Sequence, residues 1–269
     1  MNIAITGGNG FIGQVVVKQL NSTDGVVLTE FDRNIHNLLD SESLKSFVEE
    51  QDVIVHLAGV NCGTNHELLE VNTLGMLSLL DAIVKYSPTT RLVFASTFQV
   101  YLPQSLYGLS KRFAEDLLEQ YGLTHNVRST ILRLSNVYGP GGKPFYNSAI
   151  ATFAHQIKRG EGLKINGDGS AERDYIFVDD AAEAFVRVAA CDQKDQTETV
   201  DICSGKSTTL NDVLNTIRQV CKKPFEVVYN DAATEKPWPT KDKNFEKAQE
   251  LFGWKPETTL EEGLKEVMR

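Results

Sequence analysis

The segment Tyr107-Gly-Leu-Ser-Lys111 places a phenol and an ammonium group four residues apart. On a helix, this spacing brings both side chains to one face. A nearby cation favours the phenolate, so the tyrosine could exchange a proton at neutral pH. Such a pair can serve hydride transfer at a carbon that bears a hydroxyl or a ketone. The same spacing is also common in surface pairs that have no catalytic role.

Two hydroxyl residues, Ser96 and Thr97, precede this pair at the end of an apolar run. The run predicts a strand whose carboxyl end faces the ligand-binding edge of a parallel sheet. A hydroxyl there could hydrogen-bond a substrate oxygen. Either residue taken alone could instead be a simple turn residue.

A glycine-rich turn, Thr6-Gly7-Gly8-Asn9-Gly10-Phe11-Ile12-Gly13, lies between the first predicted strand and the first predicted helix. Glycines allow a tight turn and let backbone N–H groups approach a pyrophosphate, whose charge the following helix N-terminus favours. A glycine pattern alone is a weak signal. Its position at the start of a strand–helix–strand unit makes it a predicted dinucleotide site.

Two adjacent residues at the end of the second predicted strand bear on the choice of cofactor. Asp32 could accept hydrogen bonds from the ribose hydroxyls of NAD. Arg33 could instead pair with the 2′-phosphate of NADP. The predicted cofactor is therefore NAD or NADP, with the choice open.

The elements that must position these residues alternate along the first two-thirds of the chain. Short Val/Ile/Leu runs predict strands, and amphipathic stretches predict helices. The predicted strands are Asn2–Thr6, Val26–Phe31, Val53–Leu57, Leu92–Ser96 and Ser129–Leu134, and the predicted helices are Phe11–Leu20, Ser43–Glu50, Leu68–Tyr86 and Tyr107–Tyr121. This order predicts an α/β fold with a Rossmann-like, doubly wound parallel sheet.

After Pro140 the pattern changes, and a small C-terminal α/β substrate lobe is expected there. Further predicted elements are the helices Ser148–Arg159, Asp179–Ala190, Thr208–Val220 and Asn244–Leu251 and the strand Tyr175–Val178. We expect residues 1–165 to form the NAD(P)-binding domain, with 170–195 returning to it. Residues 196–269, together with 140–165, are expected to form the lobe.

Composition narrows the class of partner. The formal net charge is −9, with no run of like charges, which disfavours binding to nucleic acid or to anionic membranes. The four cysteines are far apart and match no metal-ligand spacing, so they predict reduced thiols and no metal site. Met1 leads directly into a strand-like run, and no apolar stretch is long enough to span a bilayer. These features predict a cytoplasmic protein.

With these motifs in place, the chain resembles the NAD-dependent epimerase/dehydratase branch of the extended short-chain dehydrogenases/reductases. The matching segments extend along the chain: TGGNGFIG, HLAG (residues 56–59), VNTLG (71–75), FASTFQVY (94–101), YGLSK (107–111), RLSNVYGPG (133–141), NGDGSAERDYIFVDD (166–180) and LFGWKP (251–256).

The resemblance implies roles for individual residues. Tyr107 would be the acid/base and Thr97 its hydroxyl partner, while Lys111 would hold the nicotinamide ribose and lower the pKa of Tyr107. The implied cofactor-binding residues are Gly7, Gly10, Phe11, Ile12, Gly13, Asp32, Arg33, Asn37, Leu38, Leu57, Ala58, Gly59, Asn72, Tyr107 and Lys111. The implied substrate-binding residues are Thr97, Phe98, Asn136 and Arg173, the last as a phosphate partner.

The resemblance implies a nucleotide-sugar substrate and leaves two reactions open. One is 4-epimerisation with tightly held NAD, and the other is NADPH-dependent reduction of a 4-keto sugar nucleotide. The family pattern favours the epimerase. Arg33, the short connection from Thr97 to Tyr107, and the segments HLAGVN (56–61) and YNSAIATF (146–153) favour the reductase. A third interpretation is a protein that binds NAD(P) as a sensor without catalysis. The intact set Thr97, Tyr107 and Lys111 argues against this interpretation.

Several positions depart from the family pattern or allow two interpretations. Sugar 4,6-dehydratases carry an Asp-Glu pair after the triad threonine, where this chain has Phe98 and Gln99, which argues against dehydration. The segment 235–239 lacks the arginine that often grips the diphosphate, so Lys236 or Lys241 would have to substitute, and Trp238 could stack on a base. His56 is expected to cap a strand rather than to act as a base.

The oligomeric state is also implied by the resemblance. Helices corresponding to Leu68–Tyr86 and Tyr107–Tyr121 pair across a dimer in the family, so a homodimer is expected. Their apolar stripes could otherwise belong to the core of a monomer.

Overall fold

The structure is a computed structural model. It describes residues 1–102, 105–146, 148–191, 197–221, 223–231 and 243–269. The strands are β1 (Asn2–Thr6), β2 (Val27–Glu30), β3 (Val53–His56), β4 (Arg91–Thr97), β5 (Ser129–Leu134), β6 (Asn136–Tyr138), β7 (Leu163–Asn166), β8 (Glu172–Arg173), β9 (Tyr175–Phe177), β10 (Thr197–Ile202), β11 (Thr208–Thr209) and β12 (Val227–Asn230).

The α-helices are α1 (Phe11–Asn21), α2 (Lys45–Val48), α3 (Asn65–Leu69), α4 (Gly75–Tyr86), α5 (Leu106–His125), α6 (Ala149–Arg159), α7 (Val178–Ala190), α8 (Leu210–Val220), α9 (Glu246–Phe252) and α10 (Leu260–Met268). A π-helical turn, Glu70–Leu74, joins α3 to α4, and a 3₁₀ turn, Phe98–Tyr101, follows β4.

A six-stranded parallel sheet forms the centre of the molecule, in the order β10-β5-β4-β3-β1-β2. Every residue of β3 and β4 is buried, as expected for strands covered by helices on both faces. The chain order reverses beside β1, which creates the crevice where open α/β sheets bind ligands. The predicted doubly wound Rossmann-like fold is confirmed.

Two apolar layers hold helices against this sheet. On one face, α1 and α7 pack over side chains of β1, β3, β4 and β5, together with Trp254, whose indole N–H donates to the Asp180 carbonyl at 2.9 Å. On the other face, α2, α4 and α5 cover Phe94 and its neighbours. The segments of β4 and α5 that carry Thr97 and Tyr107 are therefore anchored in a continuous core.

The sixth strand of the sheet, β10, lies within the segment 196–269 that the sequence interpretation assigns to the lobe. It pairs in register with β5, from Thr197 opposite Ser129 to Ile202 opposite Leu134. As an edge strand it is only partly buried and carries Glu198 and Asp201, so its hydrophobic signal is weak. The chain therefore returns to the central sheet after residue 195.

The predicted helix Leu68–Tyr86 is interrupted in the structure. Thr64 begins the helical segment earlier, through a capping box with Glu67, and the π-helical turn then separates α3 from α4. Single π turns recur at functional sites, where the extra residue re-aims a side chain. Here the turn contains Asn72, which is buried.

A separate apolar cluster forms the C-terminal lobe. It joins α6, α8 and α10 to the parallel pair β7 and β12. Helix α10 is absent from the sequence prediction, although Thr259 and Glu262 form a capping box at its start, which is a recognisable sequence signal.

None of the helices in the described ranges is both long enough and apolar enough to cross a bilayer. The same residues contain no group of three or more His, Cys, Asp or Glu side chains arranged to hold a metal ion.

Candidate active site

The glycine turn has the geometry of a phosphate cradle. Gly7 has φ +73°, and a Cβ on it would lie 2.6 Å from the Ala58 nitrogen. A Cβ on Gly13 would lie 2.0 Å from the Gly7 carbonyl oxygen, so only glycine allows this close packing of turn and helix. Gly10 begins α1 without a side-chain cap, and its own N–H donates to the Gly7 carbonyl at 2.9 Å. The first N–H groups of α1 thus lack an intrahelical partner and suit a pyrophosphate.

Glu30, which sequence analysis missed, lies directly beside this turn. It is the last residue of β2, and a Cβ on Gly8 would lie 2.8 Å from its carboxylate oxygen Oε2. A carboxylate in this position can accept hydrogen bonds from ribose hydroxyls and repels a 2′-phosphate. The sequence prediction extended this strand to Phe31 and therefore chose Asp32.

The other residues predicted to hold the adenosine end lie in the loop after β2. The Asp32 carboxylate accepts from the backbone and side-chain nitrogens of Asn34 at 2.8 and 2.9 Å, which forms a local turn. Arg33 and Asn37 are exposed, and the Asn37 side chain accepts from the Leu39 backbone at 3.0 Å. Leu38 packs against Gly75 at the start of α4.

The remaining residues of the predicted cradle border the glycine turn. Leu57 and Ala58 lie against Gly7, and their backbones follow β3 along its edge. Phe11 extends from the first turn of α1 toward Gly141 and Gly142. Ile12 packs partly into the core beneath.

His56 is a structural residue. Its Nδ1 lies 2.7 Å from the Thr6 hydroxyl, which also accepts from the Ala58 N–H at 3.1 Å. Burial, with a smaller contribution from the Lys111 charge, lowers the pKa of His56 to about 3. The imidazole is therefore neutral at physiological pH and is a poor general base there. The contact between His56 and Thr6 joins β3 to β1 below the loop that follows β3.

Asn72 fastens the loop after β3 to the helix that carries Tyr107. Its amide oxygen accepts from the Val60 N–H at 2.8 Å, and its amide nitrogen donates to the Val60 carbonyl at 2.7 Å. The same nitrogen donates to the Ser110 hydroxyl at 2.9 Å, and Ser110 donates to the Tyr107 carbonyl at 2.8 Å. Asn72, which is predicted to lie near the cofactor, thus joins the loop after β3 to α5 through hydrogen bonds to the Val60 backbone and to the Ser110 hydroxyl.

Tyr107 and Thr97 meet at the carboxyl end of β4. The Thr97 hydroxyl lowers the pKa of Tyr107, but burial acts more strongly and raises this pKa to about 12. The Thr97 oxygen also accepts from the Gln99 N–H at 3.2 Å. The two hydroxyl groups that are predicted to act together therefore lie near each other.

Lys111 lies one helical turn further along α5. Its ammonium group donates to the Ala95 carbonyl at 3.0 Å and stands 4.6 Å from the centre of the Phe94 ring. Burial lowers the pKa of Lys111 to about 8. The expected lowering of the Tyr107 pKa by Lys111 is not found, because the contributions to that shift come from burial, Thr97, Cys62 and Tyr146. A Cβ on Gly59 would lie 3.0 Å from the Lys111 nitrogen, so the cation borders the cofactor loop.

A buried polar network that sequence analysis missed supports the back of this site. Ser96 donates to Glu115, which receives two bonds from Arg133, one from Nε at 3.0 Å and one from Nη2 at 2.6 Å. Arg133 also donates to the Tyr101 hydroxyl at 3.0 Å, and Tyr101 donates to Asp201 at 2.6 Å. The network spans β4, β5, β10 and α5, so it fixes the strand end that carries Thr97. Ser96 therefore donates its hydrogen bond to Glu115 and not to Tyr107.

The predicted substrate contacts differ in their surroundings. Phe98 is 2% exposed and packs against the Tyr101 ring, so any substrate contact from this residue would come from its backbone. Asn136 is partly buried and donates to the Asp174 carbonyl at 3.0 Å. Arg173, also partly buried, donates to the Glu172 carbonyl at 2.8 Å. Lys236, Trp238 and Lys241 lie outside the described residues.

The fold and this geometry define an NAD(P)-dependent enzyme of the extended short-chain dehydrogenase/reductase type. The chain belongs to the NAD dependent epimerase/dehydratase family, whose model matches residues 3–203. Enzymes of this family act on nucleotide sugars as epimerases, dehydratases, decarboxylases or reductases.

Individual relatives span these activities. The chain is 30% identical to a putative UDP-glucose 4-epimerase of Methanocaldococcus jannaschii, over 99% of this chain and 97% of that protein. It is 33% identical to a UDP-2-acetamido-2,6-beta-L-arabino-hexul-4-ose reductase of Pseudomonas aeruginosa, over 70% of this chain and 49% of that protein. Among solved structures, it resembles UDP-glucose 4-epimerase of Thermotoga maritima with a TM-score of 0.88 and 29% identity, covering 100% of this chain and 97% of that one.

Proposed function

We propose that the protein is an NAD-dependent 4-epimerase of a nucleotide-activated hexose. The observation that carries this proposal is the proximity of Thr97 and Tyr107, with Lys111 one turn away, at the sheet edge that also holds the glycine cradle. The Glu30 carboxylate beside Gly8 supports NAD over NADP, because it would face the ribose hydroxyls. The epimerase relatives support the same reaction.

The residues divide the work of epimerisation. NAD bound at this site would accept a hydride from C4 of the sugar and afterwards return it. Tyr107, in its phenolate form, takes the proton of the C4 hydroxyl and returns it once the 4-keto group has presented its other face; the positive charge of the oxidised cofactor would favour this form against the raised pKa of Tyr107. Thr97 holds the same oxygen, and Lys111 would bind the ribose of the cofactor. Asn136 and Arg173 bind the sugar nucleotide.

Residues after Thr97 argue against a dehydratase. The Phe98 side chain is apolar and buried, and the Gln99 side chain accepts from the Ser105 hydroxyl at 2.8 Å. Neither side chain can take or give a proton at C5 or C6. Gln99 instead holds the N-terminal cap of α5.

The second candidate is an NADPH-dependent reductase of a nucleotide 4-keto sugar. Arg33, exposed just beyond β2, is the observation that favours it, since a guanidinium can pair with the 2′-phosphate of NADP. The 33% identity to a 4-keto sugar nucleotide reductase supports the same alternative. The Tyr107–Thr97 pair would serve either reaction. A non-catalytic NAD(P) sensor would have no use for this pair.

The nucleotide carried by the purified protein distinguishes the two enzymes. Denaturing the protein and separating the released nucleotides should yield NAD⁺ in near-stoichiometric amount, because an epimerase regenerates its cofactor within each turnover. Incubation with UDP-glucose or UDP-galactose should then interconvert them without added cofactor. A protein that releases no nucleotide and oxidises added NADPH with a 4-keto sugar nucleotide would support the reductase.

The Glu30 assignment makes a separate prediction. Glu30→Ala should weaken binding of NAD about tenfold, since a hydrogen bond to a charged group contributes about 1.5 kcal/mol or more. It should also shift the preference toward NADP, because the carboxylate that repels a 2′-phosphate is gone. Both affinities can be measured by titrating nucleotide-stripped protein. Asp32→Ala is the matched control, and a larger shift in that variant would restore Asp32 as the ribose ligand.

A homodimer, as the family resemblance implies, is part of the same proposal. Leu109 and Phe113 lie one turn apart on α5 and remain 50% and 53% exposed. Such a pair on a helix that packs against α4 supports burial by a second copy of the chain.

A further inference from the structure

Two segments meet across the mouth of the site, one from each part of the molecule. The loop after β3 contributes Cys62, and the connection between β6 and α6 contributes Tyr146. The Cys62 thiol donates to the Tyr146 carbonyl at 3.3 Å, and the Tyr146 phenol donates to the Cys62 carbonyl at 3.5 Å. This reciprocal contact joins residues far apart in sequence, and the family motifs assign it no role.

The loop side of this contact is held close to Tyr107. Val60 is fixed through Asn72 to Ser110 on the helix that carries Tyr107. Gly59 lies against the Lys111 ammonium group. Cys62, two residues beyond Val60, is therefore placed by the same hydrogen bonds that order the catalytic helix. The ionisable groups of Cys62 and Tyr146 are both near enough to contribute to the raised pKa of Tyr107.

The connection between β6 and α6, which carries Tyr146, includes a residue in an unusual backbone conformation. Phe145 has φ +57°, a left-handed value that costs energy for a residue with a Cβ. The Phe145 N–H donates to the Thr152 hydroxyl at 2.9 Å, and the Phe145 ring packs edge-on against His155 of α6. The Lys143 ammonium group stands 4.8 Å from the centre of the Tyr146 ring. Strain of this kind persists where surrounding contacts fix it, and here it directs Tyr146 toward Cys62.

We propose that Cys62 and Tyr146 form the wall of the sugar subsite opposite Tyr107 and determine which substituents are accepted beside the reacting carbon. This inference rests on the proposed function, in which the C4 oxygen lies between Thr97 and Tyr107. Groups on the neighbouring carbons of the ring then meet the thiol and the phenol. A flat aromatic ring suits the C–H face of a hexose, and a phenol O–H can bond a sugar hydroxyl.

Alkylation of Cys62 enlarges its side chain and tests directly whether this residue borders the sugar. The other partly accessible thiols are removed in Cys191→Ser/Cys221→Ser, and Cys203 is buried, so Cys62 is the exposed thiol that remains. Iodoacetamide then forms a carbon–sulfur bond at Cys62, with loss of the thiol proton and of iodide. We expect turnover of UDP-glucose to fall about tenfold or more, because small displacements from a reactive geometry are costly. The bound nucleotide should be retained.

Protection identifies the part of the substrate that lies against the thiol. UDP-glucose should slow alkylation of Cys62, whereas UDP alone should not, because UDP leaves the sugar subsite open. The variant Cys62→Ser in the same background should show the same turnover before and after iodoacetamide treatment, whatever its turnover relative to the wild type. Equal protection by UDP would place the thiol at the nucleotide end and overturn the inference.

A second variant provides a test without covalent modification. Tyr146→Ala should raise the KM for UDP-glucose about tenfold, in line with the loss of a buried sugar contact, and leave the content of bound nucleotide unchanged. An unchanged KM in this variant, or full turnover after complete alkylation of Cys62, would contradict the proposal that Cys62 and Tyr146 border the sugar. Absence of turnover in the untreated wild-type protein would instead overturn the proposed function.

Discussion

Tyr107→Phe is expected to lower turnover by about 10²-fold or more while the cofactor remains bound, in line with the contribution of general acid–base groups. The substitution removes only the phenol oxygen, so the ring still fills its place beside Thr97. Without that oxygen, no group found at this position can take the proton from the substrate hydroxyl. Turnover can be followed by interconversion of UDP-glucose and UDP-galactose, and cofactor content by the nucleotide released on denaturation.

A tyrosine on the same helix provides the control for this experiment. The Tyr121 hydroxyl donates to Asp81 of α4 at 2.5 Å, toward the carboxyl end of α5. Tyr121→Phe should therefore keep turnover close to that of the wild type. If Tyr107→Phe also retained near-normal turnover, the acid/base role would pass to another group and the proposed reaction would lose its basis.

The elements that carry the catalytic residues could be predicted because their signals are local. Asn2–Thr6 and Ser129–Leu134 are short segments rich in apolar and β-branched residues, and the structure has strands with these bounds. The long helix with Tyr107 and Lys111 was also predicted, although it begins at Leu106 and extends to His125. Alternation along β4 turns Ser96 and Thr97 to opposite faces, and the choice of Thr97 comes from the family resemblance.

The features that sequence analysis missed depend on boundaries and on contacts between distant residues. Extending β2 by one residue directed the ribose assignment to Asp32 and away from Glu30, the ligand that we propose. The π-helical turn depends on how Asn72 reaches Val60 and Ser110, which a helical pattern does not encode. Neither does the sequence reveal that Cys62 meets Tyr146, since two loops of irregular structure must first be placed by the core.

The Glu115–Arg133 pair illustrates the same limit and carries the largest expected effect on stability. Glu115 is 1% exposed at its side chain, and Arg133 is 16% exposed, with 2.6 Å between Glu115 Oε2 and Arg133 Nη2. Removing one partner of a buried pair leaves the other charge desolvated without compensation. Glu115→Ala should therefore lower the free energy of unfolding by about 3–5 kcal/mol. Urea denaturation at neutral pH measures the change.

An exposed ion pair on α5 provides a control that distinguishes the effect of burial on stability from the effect of charge pairing alone. Arg112 and Asp116 lie four residues apart on α5, at 3.3 Å, and both side chains are more than half exposed. Asp116→Ala should change the free energy of unfolding by about 0.5 kcal/mol or less, because water solvates the arginine that remains. Similar losses in Glu115→Ala and Asp116→Ala would mean that the buried network contributes little. A large loss in Glu115→Ala alone would establish that this network holds the Thr97 end of β4 in place.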